Sequence, residues 1–316
     1  EGKRVGSAGW WNTIAVSEEI RKEGLVAKNF MGDAFSNEMK KDVIKYIKEE
    51  FGGKIDLLVY SLASAVRTDP NTGEMYRSAL KSTAKEITGP TINLEKETMD
   101  MGTMGIATEE EISSTVKVMG GEDWKLWIEF LDNAGVLTEN FKTVAYSYLG
   151  PKVTYGIYKE GTIGAAKRDL EGTSDYLNDY LKTKYNGEAY VSLSKALMTK
   201  ASAVIPIFPL YATLLYKVMK AKGLHEGTIE QKQRLFKDMM YGGKPELDSN
   251  RRLRPDNWEM REDVQSEVEA IWDTITPENF KEIGDYEGVR EEFMQLNGFD
   301  FDNIDYSADV NLEELA

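Results

Sequence analysis

Short apolar runs alternate with segments of helical spacing along the first two thirds of the chain. Residues 54–60 (KIDLLVY), 141–147 (FKTVAYS) and 189–193 (AYVSL) are rich in β-branched and aromatic side chains, which is typical of buried strands. Residues 24–30 (GLVAKNF) have a similar composition and run into a Gly-Asp-Ala turn. Between these runs, residues 37–50 repeat apolar side chains at helical spacing. Strands separated by crossover helices predict an α/β fold with a doubly wound parallel sheet.

The alternation loosens in residues 66–119. Residues 69–73 (DPNTG) are a strong turn signal, and alternating segments near Ile87 and Ile92 are typical of a hairpin. We interpret residues 66–119 as a lid-like insertion over the carboxyl edge of the sheet.

The chain becomes polar near residue 245 and then acidic and mostly helical, with Val264, Val268 and Ile271 on one helix face. We therefore predict two regions. Residues 1–245 form a Rossmann-like catalytic domain, and residues 246–316 form a helical C-terminal extension packed on it.

The longest apolar stretch is interpreted as a buried helix and not as a membrane span. Residues 203–219 cover about 17 positions and are interrupted by Pro206, Pro209 and Lys217, whereas a membrane-spanning helix needs roughly 20 apolar residues. The chain begins Glu-Gly-Lys-Arg, without the pattern of a signal peptide. We expect no membrane insertion and a cytoplasmic location.

The composition excludes several classes of chemistry. The 54 acidic and 39 basic residues give a net charge of −15, which argues against nucleic acid as a partner. The chain has no cysteine, so disulfides, thiolate metal sites and cysteine nucleophiles are excluded. Its single histidine, His225, excludes a histidine-rich metal site, and we predict no metal. Acid–base chemistry is expected to use Tyr, Lys, Asp or Glu.

Small or polar residues follow four of the predicted strands. Ligands of open α/β sheets bind outside the carboxyl ends of the strands, where small residues let a flat cofactor approach the backbone. Taken singly, each of these segments is also compatible with an ordinary turn. The candidate residues are Asp33, Ala34, Leu62, Ala63, Tyr148, Leu197, Met198 and Thr199.

A tyrosine and a lysine form the sharpest candidate pair. Tyr158 and Lys167 are nine residues apart, which would place them on opposite faces of one continuous helix. They converge only if the helix begins after Tyr158, which Gly161 and Thr162 permit. A nearby ammonium would lower the pKa of the phenol and make it a better proton donor. Alternatively, Tyr158 is a core residue and Lys167 is a solvated surface residue.

Several motifs resemble trans-2-enoyl-CoA reductases and FabV-type enoyl-ACP reductases, and the resemblance spans essentially the whole chain. The Tyr-x8-Lys spacing separates this family from ordinary short-chain dehydrogenases, in which the two residues lie closer together. The matching segments are 60–64 (YSLAS), 66–70 (VRTDP), 118–124 (VMGGEDW), 145–150 (AYSYLG), 158–167 (YKEGTIGAAK), 201–211 (ASAVIPIFPLY), 225–227 (HEG) and 229–231 (IEQ).

The resemblance implies an enzyme that uses NADH to saturate the C2=C3 bond of enoyl-CoA or enoyl-acyl carrier protein. It implies that Tyr158 is catalytic, that Tyr148 binds substrate and that Lys167 contacts the cofactor. Hydride would reach C3, Tyr158 would stabilise the enolate oxygen, and a proton would then reach C2. The implied NAD contacts are Asp33, Ala34, Leu62, Ala63, Leu197, Met198 and Thr199.

Two features depart from the family pattern. Ala65 stands where the family usually carries proline, and no glycine-rich phosphate loop opens a strand–turn–helix unit. We therefore expect that the first βαβ unit lies upstream of Glu1, and that residues 1–316 alone do not reduce enoyl thioesters. With that unit present, we expect a monomer.

Two other functions stay open at this stage. A carbonyl reductase of the short-chain dehydrogenase type would share the Tyr–Lys pair but act on a ketone. A non-catalytic module that binds an acyl carrier would have lost cofactor binding.

Overall fold

The computed structural model describes residues 7–62, 64–94, 96–243 and 245–309. The strands are β1 (Ile55–Tyr60), β2 (Val66–Thr68), β3 (Met75–Arg77), β4 (Ile87–Asn93), β5 (Thr98–Met104), β6 (Leu137–Ser147), β7 (Glu188–Leu193) and β8 (Arg252–Leu253). The α-helices are α1 (Ala8–Lys22), α2 (Asn37–Glu50), α3 (Glu109–Met119), α4 (Glu122–Asn133), α5 (Tyr155–Tyr158), α6 (Thr162–Tyr185), α7 (Phe208–Ala221), α8 (Thr228–Arg234), α9 (Glu262–Trp272), α10 (Phe280–Ile283) and α11 (Tyr286–Gln295). A π-helix, Leu235–Met240, continues α8.

A parallel sheet in the order β1-β6-β7-β8 forms the centre of the fold. Tyr60 pairs with Ala145, and Ser147 pairs with Leu193, so the carboxyl ends of β1, β6 and β7 lie at one edge. This arrangement confirms the predicted α/β fold. It also identifies the edge at which a ligand of such a sheet binds.

Helices cover both faces of the sheet, as a doubly wound fold requires. Successive side chains of a strand point to opposite faces. Phe141 and Ala145 of β6 accordingly pack in one core with α2, α4 and α6, whereas Val144 and Tyr146 pack with the π-helix on the other side.

The predicted insertion contains two hairpins. β2 pairs with β3 and β4 pairs with β5, so the predicted hairpin is confirmed, with Ile87 and Ile92 both on its first strand. The β4–β5 hairpin lies close to the chain before α7, since a Cβ on Gly89 would stand 2.9 Å from the Ile207 side chain. Helix α3, which ends the insertion, packs on α6. A lid role for the insertion stays a prediction.

The predicted apolar helix begins at Phe208, later than its apolar pattern suggests. Ile207 has a φ of 70°, which is incompatible with an α-helix, so the helix begins only after this residue. Pro206 and Pro209 lie on either side of the break. A β-branched residue at positive φ is a strained conformation that costs about 1–3 kcal/mol. Among the described residues, no helix has the length and apolarity needed to cross a bilayer.

The C-terminal helices pack on α7. Val264 and Val268 of α9 and Val289 of α11 are fully buried in the core that α7 forms. Ile271, predicted on the same face of α9, is partly buried there. The helical C-terminal extension therefore forms one layer of the described structure.

The predicted strand over residues 24–30 is wrong. None of the described strands forms a ladder with these residues, which have no regular secondary structure, and Leu25 and Val26 are 64% and 57% exposed. A β-rich composition makes a strand only where a neighbouring strand supplies hydrogen bonds.

A buried ion pair ties the turn before α2 to the sheet. Lys40 and Asp123 are almost completely buried, and the Lys40 Nζ lies 2.8 Å from the Asp123 Oδ1. The Lys40 Nζ also donates to the Phe35 carbonyl at 2.7 Å, while the Tyr60 hydroxyl donates to the Asp123 Oδ2 at 3.2 Å. The turn before α2 is thereby held beside the carboxyl end of β1.

We predict that Lys40→Met lowers the free energy of unfolding by about 3–5 kcal/mol, because the Asp123 carboxylate is left buried without its partner. Urea denaturation measures this change. Lys41→Met, at an exposed neighbouring position on α2, is the matched control and should change it by less than about 0.5 kcal/mol. The double variant Lys40→Met with Asp123→Leu should recover most of the loss. If Lys40→Met lowers the free energy of unfolding no more than Lys41→Met does, the stabilising role assigned to the ion pair is wrong.

Candidate active site

One cleft of about 290 Å³ brings together the three residues singled out for chemistry. Tyr148 follows β6, Tyr158 ends α5, and Lys167 lies in the second turn of α6. All three line the cleft, at the carboxyl edge of the sheet.

The break between α5 and α6 makes this convergence possible. Gly161 is the N-cap of α6, so Tyr158 lies before the helix, as the sequence predicts. A Cβ on Gly161 would stand 2.4 Å from the Ile157 carbonyl oxygen, and one on Gly164 would stand 2.3 Å from that of Lys159. Only glycine allows the two helices to approach this closely.

Three aromatic rings, two of which line the cleft, pack against one another. The ring centroids of Tyr148 and Tyr158 are 4.6 Å apart with an interplanar angle of 83°. The Phe208 ring packs edge-on against both, at 5.7 Å and 6.1 Å. These edge-to-face contacts favour a fixed geometry and leave an apolar surface between two phenol groups.

The Tyr158 phenol is held in its neutral form. Burial, followed by the nearby Glu259 carboxylate, raises the pKa of Tyr158 well above its ordinary value. Its hydroxyl makes no hydrogen bond to the residues that the structure describes, and it is therefore available to a ligand. The expectation that Lys167 lowers this pKa is wrong, because burial and Glu259 both raise it and Lys167 is not among its causes.

Lys167 is a partly buried cation inside the site. Its Nζ donates to the Tyr146 carbonyl at 3.3 Å. Burial lowers the pKa of Lys167 to about 8, against an opposing effect of Glu171. At neutral pH the side chain still carries a positive charge close to the cleft, and the surface interpretation of Lys167 does not apply.

A buried carboxylate, which sequence reasoning did not find, adjoins the cleft. Glu259 is fully buried, and its Oε1 accepts from the Tyr148 hydroxyl at 3.0 Å and the Tyr211 hydroxyl at 2.7 Å. Its Oε2 accepts from the Ala196 amide at 2.7 Å. Burial is the largest influence on Glu259 and raises its pKa to about 7. No local signal in the sequence marks this residue, which is 111 positions from Tyr148.

The other candidate residues lie in turns. Asp33 is exposed and its Oδ1 accepts from the Phe35 amide at 2.9 Å, while the Ala34 carbonyl accepts from the Trp127 indole. Leu62 follows β1 and is 38% exposed, and Ala63 lies outside the described residues.

The 197–199 turn follows β7 and is tightly bonded. Its Met198 amide donates to the Tyr216 hydroxyl at 3.1 Å, and the Ser202 hydroxyl donates to the Leu197 carbonyl at 2.9 Å. The Thr199 amide donates to the Ser202 Oγ at 2.9 Å. The backbone is therefore pre-ordered at the sheet edge.

The polar groups at this edge fit a dinucleotide. The Ser147 Oγ is buried and has no partner among the described residues. Lys232, a second cation that sequence reasoning missed, donates to the Ser194 hydroxyl at 3.0 Å, and burial lowers its pKa to about 8. An unpartnered hydroxyl and two ammonium groups suit ribose hydroxyls and phosphates. The described residues contain no group of three or more His, Asp or Glu side chains that could hold a metal ion.

Two family models match the chain. The trans-2-enoyl-CoA reductase catalytic region matches residues 4–241, and the enoyl reductase FAD binding domain matches residues 247–310. The inward side chains of the second region, Val264, Val268 and Val289, are fully buried against α7. The mention of a flavin is part of that model's description, whereas the similar proteins are named for NADH.

Relatives match over nearly the whole chain. An enoyl-[acyl-carrier-protein] reductase [NADH] 2 of Photobacterium profundum is 54% identical over 99% of this chain and 79% of its own length. A trans-2-enoyl-CoA reductase [NADH] of Clostridium beijerinckii is likewise 54% identical, with the same two coverages. The crystal structure of the Clostridium acetobutylicum trans-2-enoyl-CoA reductase in complex with NAD superposes with a TM-score of 0.96 at 52% identity, covering 100% of this chain and 81% of that one. This chain therefore belongs to the trans-2-enoyl-CoA reductase family.

Proposed function

We propose that this protein is an NADH-dependent reductase of the C2=C3 double bond of trans-2-enoyl thioesters. The observation that carries the proposal is the cleft in which Tyr148, Tyr158 and Lys167 meet at the carboxyl edge of the sheet. Relatives of similar sequence bear the names of NADH-dependent enoyl-CoA and enoyl-acyl carrier protein reductases. The thioester carrier is one of these two.

NADH, when bound, supplies the hydride for the reduction. The residues of this chain supply orientation and electrostatic stabilisation. The neutral Tyr158 hydroxyl would donate a hydrogen bond to the thioester oxygen, where negative charge develops as the double bond is reduced. Because burial keeps the phenol protonated, Tyr158 acts as a donor and not as a phenolate base.

The remaining site residues would bind the two ligands. Tyr148 would contact the thioester, and Phe208 would provide apolar surface for the acyl chain near C2 and C3. Lys167 would hold ribose or phosphate oxygens of the cofactor as a fixed positive charge. The proposed backbone and side-chain contacts to NADH are Asp33, Ala34, Leu62, Ala63, Leu197, Met198 and Thr199.

Two finer proposals and one alternative accompany this function. We infer a cytoplasmic monomer that acts on enoyl-CoA or enoyl-acyl carrier protein. The regions 1–245 and 246–316 serve as catalytic domain and helical extension. A carbonyl reductase is the alternative within the same chemistry, and a comparison of crotonyl-CoA with simple ketones as substrates separates the two.

We predict that, in an otherwise complete enzyme, Tyr158→Phe lowers kcat on crotonyl-CoA by about 100- to 1,000-fold, because one donor to the developing oxyanion is lost. NADH oxidation followed by absorbance measures the rate. Tyr155→Phe is the matched control, since Tyr155 lies on the same short helix and does not line the cleft, and it should keep near-normal turnover. Near-normal kcat in Tyr158→Phe would show that the catalytic assignment is wrong.

We predict that Lys167→Met raises the KM for NADH and also lowers kcat, because one ammonium serves the cofactor beside the reacting groups. Lys167→Arg should recover little, since a planar guanidinium does not replace a point charge on a flexible stem. Steady-state kinetics with varied NADH measure both constants. Lys182→Met, which removes an exposed lysine from the last turn of the same helix, is the control. An unchanged KM for NADH and an unchanged kcat in both Lys167 variants would show that this residue has only a structural role.

A further inference from the structure

Glu259 forms a closed hydrogen-bond network behind the Tyr148 hydroxyl. Its Oε2 faces the Ala196 amide, which donates at 2.7 Å and cannot accept. Its Oε1 faces two phenol hydroxyls, those of Tyr148 at 3.0 Å and Tyr211 at 2.7 Å. A proton on Glu259 therefore has to lie on Oε1 and point to one of these phenols.

Gln265 decides which phenol accepts that proton. The Gln265 Nε2 donates to the Tyr211 hydroxyl at 3.0 Å and to the Glu259 carbonyl at 2.7 Å, which fixes its amide orientation. Tyr211 already accepts from Gln265, so its own hydrogen points to Glu259. The remaining acceptor for a protonated Glu259 is the Tyr148 oxygen.

The direction of the Tyr148 hydroxyl thus follows the charge on Glu259. When Glu259 is ionised, the Tyr148 hydrogen is drawn to the carboxylate and away from the cleft. When Glu259 is neutral, it donates to Tyr148, whose own hydrogen is then free to point into the cleft. Tyr148 lines that cleft beside Tyr158, so only the second state presents two phenol donors to a thioester oxygen.

We propose that Glu259 is a positioning residue that switches Tyr148 between donating to the substrate oxygen and donating to the protein. The inference rests on the proposed function for its kinetic consequence, and on the hydrogen-bond geometry for the switch itself. The hydrogen bonds among Glu259, Tyr148, Tyr211, Gln265 and the Ala196 amide suffice for this switch.

The electrostatic surroundings place this switch near neutral pH. Burial raises the pKa of Glu259 to about 7, against the opposing hydrogen bonds from Tyr211 and Ala196 and the charge of Lys195. Above that pH the carboxylate forms and the second donor is withdrawn. The titratable groups that face Glu259 are Tyr148, Tyr158, Tyr211, Tyr216, Lys195 and Asp256.

The pH dependence of kcat tests the proposal in an otherwise complete enzyme that turns over crotonyl-CoA, at saturating NADH and crotonyl-CoA. A group with a pKa of about 7 that must be protonated lowers the rate about tenfold between pH 6 and pH 8. Together with the loss of about twofold from Lys167, the wild-type rate should fall about twentyfold. In Glu259→Gln, the amide donates permanently to Tyr148, so the fall between these pH values should be only about twofold. That residual fall arises from Lys167, whose pKa is about 8. An unchanged profile in Glu259→Gln would overturn the proposal.

Two further variants separate positioning from general disturbance. Tyr148→Phe removes the group through which Glu259 acts, so adding Glu259→Gln to it should leave the pH profile unchanged. Asp132→Asn is the matched control, because Asp132 also accepts from two phenols, Tyr180 and Tyr185, but lies away from the cleft. It should keep the wild-type profile. A flattened profile in the control would contradict the assignment to Glu259.

A measurement without substrate tests the protonation of Glu259 independently of the proposed function. Infrared difference spectra between pH 6 and pH 8 should show loss of one protonated carboxyl band, and the band should be absent in Glu259→Gln. Absence of this band in the wild-type protein overturns the proposal whatever the activity. If the band is present but crotonyl-CoA is not reduced, the proposed function fails while the switch stands.

Discussion

The close passage of the chain between α5 and α6 is the constraint on which the site depends. Nine residues separate Tyr158 from Lys167, and a continuous helix would point them in opposite directions. A Cβ on Gly161 or Gly164 would stand within 2.4 Å of a backbone carbonyl oxygen, so glycine is needed for the chain to pass here. Because α6 packs on β6 and α5 packs on α6, the phenol and the ammonium enter one cleft, and every chemical role proposed for them follows from that crossing.

Local sequence signals predicted the elements that carry this arrangement. The runs at 54–60, 141–147 and 189–193 became adjacent parallel strands, since their composition suits burial on both faces. The separation of Tyr158 from the following helix was also predictable, because Gly161 and the apolar spacing after it mark a helix start. Residues 24–30 show the limit of such reasoning, since strand formation depends on a partner that composition does not reveal.

Two properties of the site required three-dimensional information. The sequence suggests that a lysine near Tyr158 lowers its pKa, but burial is the largest influence on this phenol and raises its pKa. Glu259 lies in a polar stretch where a carboxylate is ordinarily solvated, and it reaches Tyr148 only because α9 and its preceding turn pack on α7. Desolvation and long-range contact are both consequences of the tertiary fold, and neither has a local signature.

The strained conformation of Ile207 has a consequence for the geometry of the site. Its positive φ immediately precedes Phe208, whose ring contacts both Tyr148 and Tyr158. The buried apolar face of α7 holds this residue in place at a cost of about 1–3 kcal/mol. A substitution that relieves this strain would also change where the Phe208 ring meets the two phenols. Stability and the placement of the phenol rings are therefore coupled at this one backbone position.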